Sequence, residues 1–261
     1  MRLLSSTFAL LLAAASMTLA AQSLQPLRDK CEIRPSSDGI KLSLHVFNGR
    51  DCSDRDQCGS NFSGESMNRF TGITLPDLAR EGAHLTATLK GEAGTFTCTG
   101  TVHDQNFNGD ALFTPDPTFV DRMGKLGFSG YNSEKLQAYT FLDVTSDFAR
   151  SLQQANVKGL TTDNLIALRI FKIDPSYPKT FVSMGYDQPD ADHLIALKVQ
   201  GVNAEEIRKI RNLGLKPTLD ELIQIRIFHI TPEFVHSMQN RGLKDLTISK
   251  LVQIKIFKLD E

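Results

Sequence analysis

Four cysteines, Cys31, Cys52, Cys58 and Cys98, are the most reactive side chains of this chain, and all lie in its first hundred residues. A structural zinc site wants cysteines paired at Cys-x-x-Cys spacing, which is absent. An even number in an oxidising compartment favours disulfides, for which three connectivities exist. Cys52 and Cys58 share one polar stretch, so the favoured pairing is Cys52–Cys58 with Cys31–Cys98.

Carboxylates offer a second chemistry. "DRDQCGSNFSGE", Asp54 to Glu65, places Asp, Asp, Gly and Glu at positions 1, 3, 6 and 12 of a calcium-loop pattern. Cys58 at position 5 is a poor calcium ligand, Asn61 stands at position 8 where an apolar residue is usual, and helical flanks are not evident. A solvated loop closed by a disulfide is the better reading, and no metal or cofactor is expected. The histidines, His45, His84, His103, His193, His229 and His236, fall at unrelated places, with no Ser/His/Asp ordering and no Gly-x-Ser-x-Gly turn beside them. No catalytic residue is assigned.

One charged feature recurs. Arg169, Lys198, Arg226 and Lys255 stand at the same place in four similar phrases, "LIALRIFKI", "LIALKVQGV", "LIQIRIFHI" and "LVQIKIFKL". A stacked array would align them in a row. Such a row suits an acidic partner, but cations in a last helical turn also favour the helix's own C-terminal carbonyls.

The phrases belong to a longer unit of about 29 residues, the period of a repeat array. Five copies run 116–144, 145–173, 174–202, 203–230 and 231–259, the fourth a residue short around Pro217. Each reads as two short helices. Asp116, Thr145, Asp174, Asn203 and Thr231 are capping residues for the first helix. Gly127, Gly185, Gly214 and Gly242, with Asn156 in the second copy, suit its C-terminal turn. Thr161, Thr218 and Thr247 open the second helix. Its body is apolar on nearly every side, which predicts burial between neighbours along a solenoid.

The copies from Thr145 onward resemble short helical repeats of the form "TPEF…M…GL…L…LI.LRI.GV" in exported bacterial proteins. These are similar to repeats in the tails of beta-lactam-sensor-type membrane metallopeptidases. The resemblance covers Asp116–Glu261 and brings no peptidase chemistry, since His-Glu-x-x-His is absent. It implies an α-solenoid, and it adds an envelope sensor partnering such a peptidase to the functions considered.

Ahead of the array the apolar period changes to two. Segments 39–47, 83–91, 94–102 and 109–114 alternate as half-buried strands, and "ITLPDLAREG" suits a short helix across the sheet. The expected fold class is α+β: a small N-terminal antiparallel β domain (22–115) with disulfides, then an α-solenoid of about five two-helix repeats (116–261). The first residues, 1–21, have the charged, apolar and small-residue parts of a signal peptide, so an exported, periplasmic or secreted chain is expected, with no membrane span in its mature part. Residues 22–115 hold 9 Lys/Arg against 12 Asp/Glu, and residues 116–261 hold 19 against 18, with no Trp. Neither half has the basic excess that nucleic acid requires.

These features predict a non-enzymatic exported repeat protein that binds another protein in the cell envelope. A cell-envelope hydrolase or hydrolase accessory is the alternative from another class. Self-association through the C-terminal repeat is also expected, because Leu251, Ile254, Ile256 and Phe257 would have neighbours on one side only.

Overall fold

A computed structural model of the chain describes residues 24–37, 39–47, 59–63 and 68–259. The signal-peptide segment and Cys52 and Cys58 lie outside these. Among the described residues the fold is α+β, with a β-rich front followed by ten α-helices.

The strands are β1 (Leu27–Pro35), β2 (Leu42–Phe47), β3 (Gly59–Ser63), β4 (His84–Gly91), β5 (Gly94–His103) and β6 (Asn106–Pro115). They form one antiparallel sheet in the order β3-β2-β1-β6-β5-β4. Two strands go beyond those expected from the period. β1 joins β2 to β6, and β3 occupies 59–63, inside the calcium-like pattern. An extended strand there replaces the open loop expected at those residues and does not suit a helix-flanked calcium site.

The sheet bends sharply across β6. Cys31 of β1 registers with Gly109 of β6, and Cys98 of β5 with Ala111. Strands two apart in a flat sheet are about 9.6 Å apart, yet the Cα atoms of the disulfide Cys31–Cys98 are 6.1 Å apart. Gly100 and Gly109, directly opposite each other, permit the bend. A Cβ on Gly100 would meet the Asn108 carbonyl oxygen at 1.9 Å. The bend brings the buried Ile33, Leu44, Leu89, Phe96, Phe107 and Phe113 into one core.

The helices come in pairs: α1 (Pro117–Lys125) with α2 (Ser133–Leu142), α3 (Ser146–Gln154) with α4 (Thr162–Ile170), α5 (Ser176–Ser183) with α6 (Ala191–Val199), α7 (Ala204–Asn212) with α8 (Leu219–Ile227), and α9 (Pro232–Asn240) with α10 (Ile248–Ile256). Their ends are set by local hydrogen bonds. The side chains of Thr161, Thr218 and Thr247 each accept the backbone N–H three residues on. Thr218 and Glu221 close a reciprocal box. Gly127, Gly185, Gly214, Gly242 and Asn156 all have positive φ just beyond a first helix.

A second left-handed position follows the second helices, at Asp143, Lys172, Gly201, His229 and Lys258. Only one of the five is glycine. This conformation costs an L-residue about 1–2 kcal/mol, part of which glycine's larger chain entropy returns. His229→Gly is therefore expected to raise the urea midpoint, by up to about 1 kcal/mol in stability. A lowered midpoint would show that the imidazole contributes more than its backbone costs.

Second helices pack in succession, α2 on α4, α4 on α6, α6 on α8 and α8 on α10, and more closely than the first helices do. Leu165, Leu168, Leu194, Leu197, Leu222 and Leu251 are buried along that stack. The Tyr139 hydroxyl donates to the Thr162 carbonyl at 2.8 Å and ties α2 to α4. The sheet packs on α2 through β4, β5 and β6, with Phe96 and Phe70 against Phe141. Glu92, in the β4–β5 turn, accepts from the Ser146 N–H and hydroxyl at the start of α3. The front sheet thus covers the first member of the helical stack.

Candidate binding surface along the second helices

Four cations of the basic row share a position but not a free state. Arg169 donates through Nε to the Leu142 carbonyl at 3.1 Å and through Nη2 to Asp143 at 2.9 Å. Arg226 donates to the Gln200 carbonyl at 2.8 Å and to Glu206 at 2.5 Å. Each guanidinium therefore caps the carboxyl end of the second helix one repeat earlier, where carbonyls lack partners and the helix dipole favours a cation.

The row also reads against the first helices. Arg169 lies over the Phe148 ring, Lys198 over Tyr177 and Lys255 over Phe234. Phe148, Tyr177, Glu206 and Phe234 occupy one repeat position. Where the aromatic ring is replaced by Glu206, the cation–π contact is replaced by an ion pair with Arg226. This pairing, about 21 residues apart in every copy, is written in the sequence and explains the row without an outside ligand. In the first repeat, Thr140 stands where the cation would be. The front domain supplies one instead: Arg69 donates to the Thr140 and Phe141 carbonyls at 3.0 and 3.2 Å and pairs with Asp143 at 3.1 Å.

The position following the cation behaves differently. Ile170, Val199, Ile227 and Ile256 are 53%, 52%, 50% and 54% exposed. One turn earlier on the same face stand Ile166, Ile195, Ile223 and Val252, the first three half-buried. The expectation that these helices are buried all round is therefore corrected. Stacking covers both flanks of α4, α6 and α8 and their side toward the first helices, and leaves one apolar face of each in water. The repeat-one member of this row is Phe141, which the sheet's aromatics bury. At the far repeat Leu251 is buried and Ile254 half-buried, while Ile256 and Phe257 are exposed.

A cleft between the third and fourth repeats collects polar side chains. It has a volume of about 740 Å³ and is bordered by Tyr186, Asp187, His193, Arg211, Lys216 and Asp220, where the fourth repeat's turn is a residue shorter. His193 Nδ1 lies 2.9 Å from Asp190 and Nε2 lies 3.2 Å from Asp220, so the ring links α6 to α8. Partial burial opposes charge on the ring, but hydrogen bonds and attraction from Asp190 and then Asp220 outweigh it and raise its pKa above the ordinary histidine value. Burial likewise opposes ionisation of Asp190, yet the His193 backbone and ring hold its pKa below the usual carboxylate value.

A group with a raised folded pKa stabilises fully below its unfolded pKa, and the contribution fades as pH rises through the folded value. The stability lost in His193→Gln should therefore be larger at pH 5.5 than at pH 8.5, both well above the range where Asp190 takes up a proton. Solvent screening at these half-exposed groups keeps the effect below about 1 kcal/mol. Urea curves of both proteins at the two pH values test it; an equal loss at both would show that the clamp does not favour the charged ring.

Among the described residues, no group of three or more His, Cys, Asp or Glu side chains is placed to hold a metal ion, and no helix is long and apolar enough to cross a membrane. No protein family, no curated protein and no solved structure matches the chain.

Proposed function

We propose that this chain is an exported, non-enzymatic binding protein of the bacterial cell envelope, and that its helical array holds another protein across the exposed faces of the second helices. The observation that carries this reading is the row Ile170, Val199, Ile227 and Ile256. Scattered exposed aliphatics are ordinary, but aligned apolar side chains rimmed by charge mark contact surfaces. Repeat arrays use such extended faces for protein recognition. The buried Cys31–Cys98 disulfide and the signal-like first residues support export.

Affinity capture from envelope extract tests this, using the full chain and a Val199→Glu/Ile227→Glu variant of unchanged circular dichroism. A protein retained by the first and lost from the second is the expected result. No retained protein would count against a binding role; equal retention would place binding on another surface.

A further inference from the structure

We infer that the joint between α6 and α8 is released by rising pH: charged His193 clamps the two helices, and the neutral ring lets their N-terminal ends part beside the cleft between the third and fourth repeats. This goes beyond the binding role proposed above and does not rest on it.

The third residue of each second helix decides how successive repeats are tied at this end. In α4 and α8 it is Asn164 or Glu221, an acceptor that turns back on its own helix. Asn164 receives the Thr161 backbone N–H at 2.7 Å, and Glu221 that of Thr218 at 2.8 Å. In α2 and α6 it is Lys135 or His193. An ammonium and a charged imidazole have only donors and close no such box. Each reaches instead to the acid at the second place of the next second helix. Lys135 Nζ lies 2.8 Å from Asp163, and His193 Nε2 lies 3.2 Å from Asp220. In α10 Lys250 donates to the Asp245 carbonyl. The α2–α4 and α6–α8 joints thus carry the same bridge, built once on lysine and once on histidine. A lysine keeps its charge through the neutral range, and a histidine does not.

Ring geometry makes the second bridge conditional. Nδ1 faces Asp190 at 2.9 Å while Nε2 faces Asp220. Only the charged ring donates at both nitrogens; a neutral imidazole keeps one N–H and turns a lone pair toward the other carboxylate. Asp190 is the closer partner and is anchored by the His193 backbone N–H at 2.8 Å. The contact given up is the longer one, to the Asp220 side chain, which is 76% exposed. That contact is the one between repeats.

The other charged groups around the ring are the acids Asp187, Asp192 and Glu221 and the cations Arg211, Lys216 and Lys158. Histidine is the one residue type among all these whose ordinary pKa lies between about pH 5 and 8. Arg211 is taken up by the Met184 carbonyl and the Tyr186 ring. Leu194, Leu197, Leu222 and Ile225 stay buried along the stack, so release loosens the edge of the cleft and does not unfold the array.

Amide hydrogen exchange of the full chain tests the inference, read as protection relative to the intrinsic rate at each pH. Leu222 makes the first helical backbone bond of α8, and Leu165 the corresponding bond of α4, beside the Lys135–Asp163 bridge. From pH 5.5 to 8.5 protection at Leu222 should fall about threefold, within what one screened bridge supplies. Leu165 should not change. His193→Lys should keep Leu222 protected at both pH values, and His193→Gln should leave it low at both. Asp220→Asn should abolish the fall; if the fall survives there, the ring acts through Asp190 alone and no joint is released. An unchanged Leu222, an equal fall at Leu165, or a fall that persists in His193→Lys also overturns the inference. Should His193→Lys fail to fold, a fall that persists in His193→Gln overturns it just as well.

Discussion

Leu222→Ala and Ile225→Ala are each expected to lower stability by about 2–5 kcal/mol, while Gln224→Ala in the same helix leaves it nearly unchanged. Leu222 and Ile225 are 3% and 7% exposed, inside the stack where α8 meets α6 and α10; Gln224 faces water. Truncation removes apolar contact and leaves a cavity that packed neighbours on both sides cannot fill. Because each repeat is held chiefly by its neighbours, the loss should spread along the array and lower the whole urea transition. Equal midpoints for all three variants would show that the buried face is misassigned.

The second large effect lies in the sheet. Cys31→Ala with Cys98→Ala should cost about 4 kcal/mol, from the chain entropy of a loop closed across 67 residues. The bend over β6 should make that loss visible as a change in the sheet, because the disulfide holds β1 and β5 closer than flat pairing would. Thermal unfolding followed by far-ultraviolet circular dichroism checks this. An unchanged midpoint would show that Gly100, Gly109 and the Phe96–Phe113 core hold the bend alone.

Caps were legible in the sequence because their causes are local. Thr161, Thr218 and Thr247 bond to an N–H three residues away, and Gly127, Gly185, Gly214 and Gly242 are needed within a single turn. The fold class followed from the change of period between the front and the array. β1 was not legible as easily. Its inward side runs Leu27, Asp29, Cys31 and Ile33, and Asp29 breaks an otherwise clean alternation. Residues Gly59–Ser63 carry too few apolar side chains to signal a strand; backbone pairing with β2 places them.

The exposed row could not be read from periodicity, for a physical reason. In "LIALRIFKI" the buried Leu165 and Leu168 and the exposed Ile170 belong to one hydrophobic class. A helix apolar on all sides has no pattern that marks which side lacks a neighbour. Only the stack decides that. The cations were readable as a row, whereas their destinations required the repeat alignment between first and second helices, in which Glu206 and Arg226 replace a ring and the cation above it.

Site-specific photo-crosslinking in the living cell tests most directly whether the second-helix face is the binding surface. A photoreactive side chain would be placed at Ile227, in the exposed row, and in a parallel chain at Asn240, exposed on a first helix. The expected result is a discrete protein adduct from position 227 and none from position 240. Adducts from position 240 alone, or from neither position, would contradict the assignment.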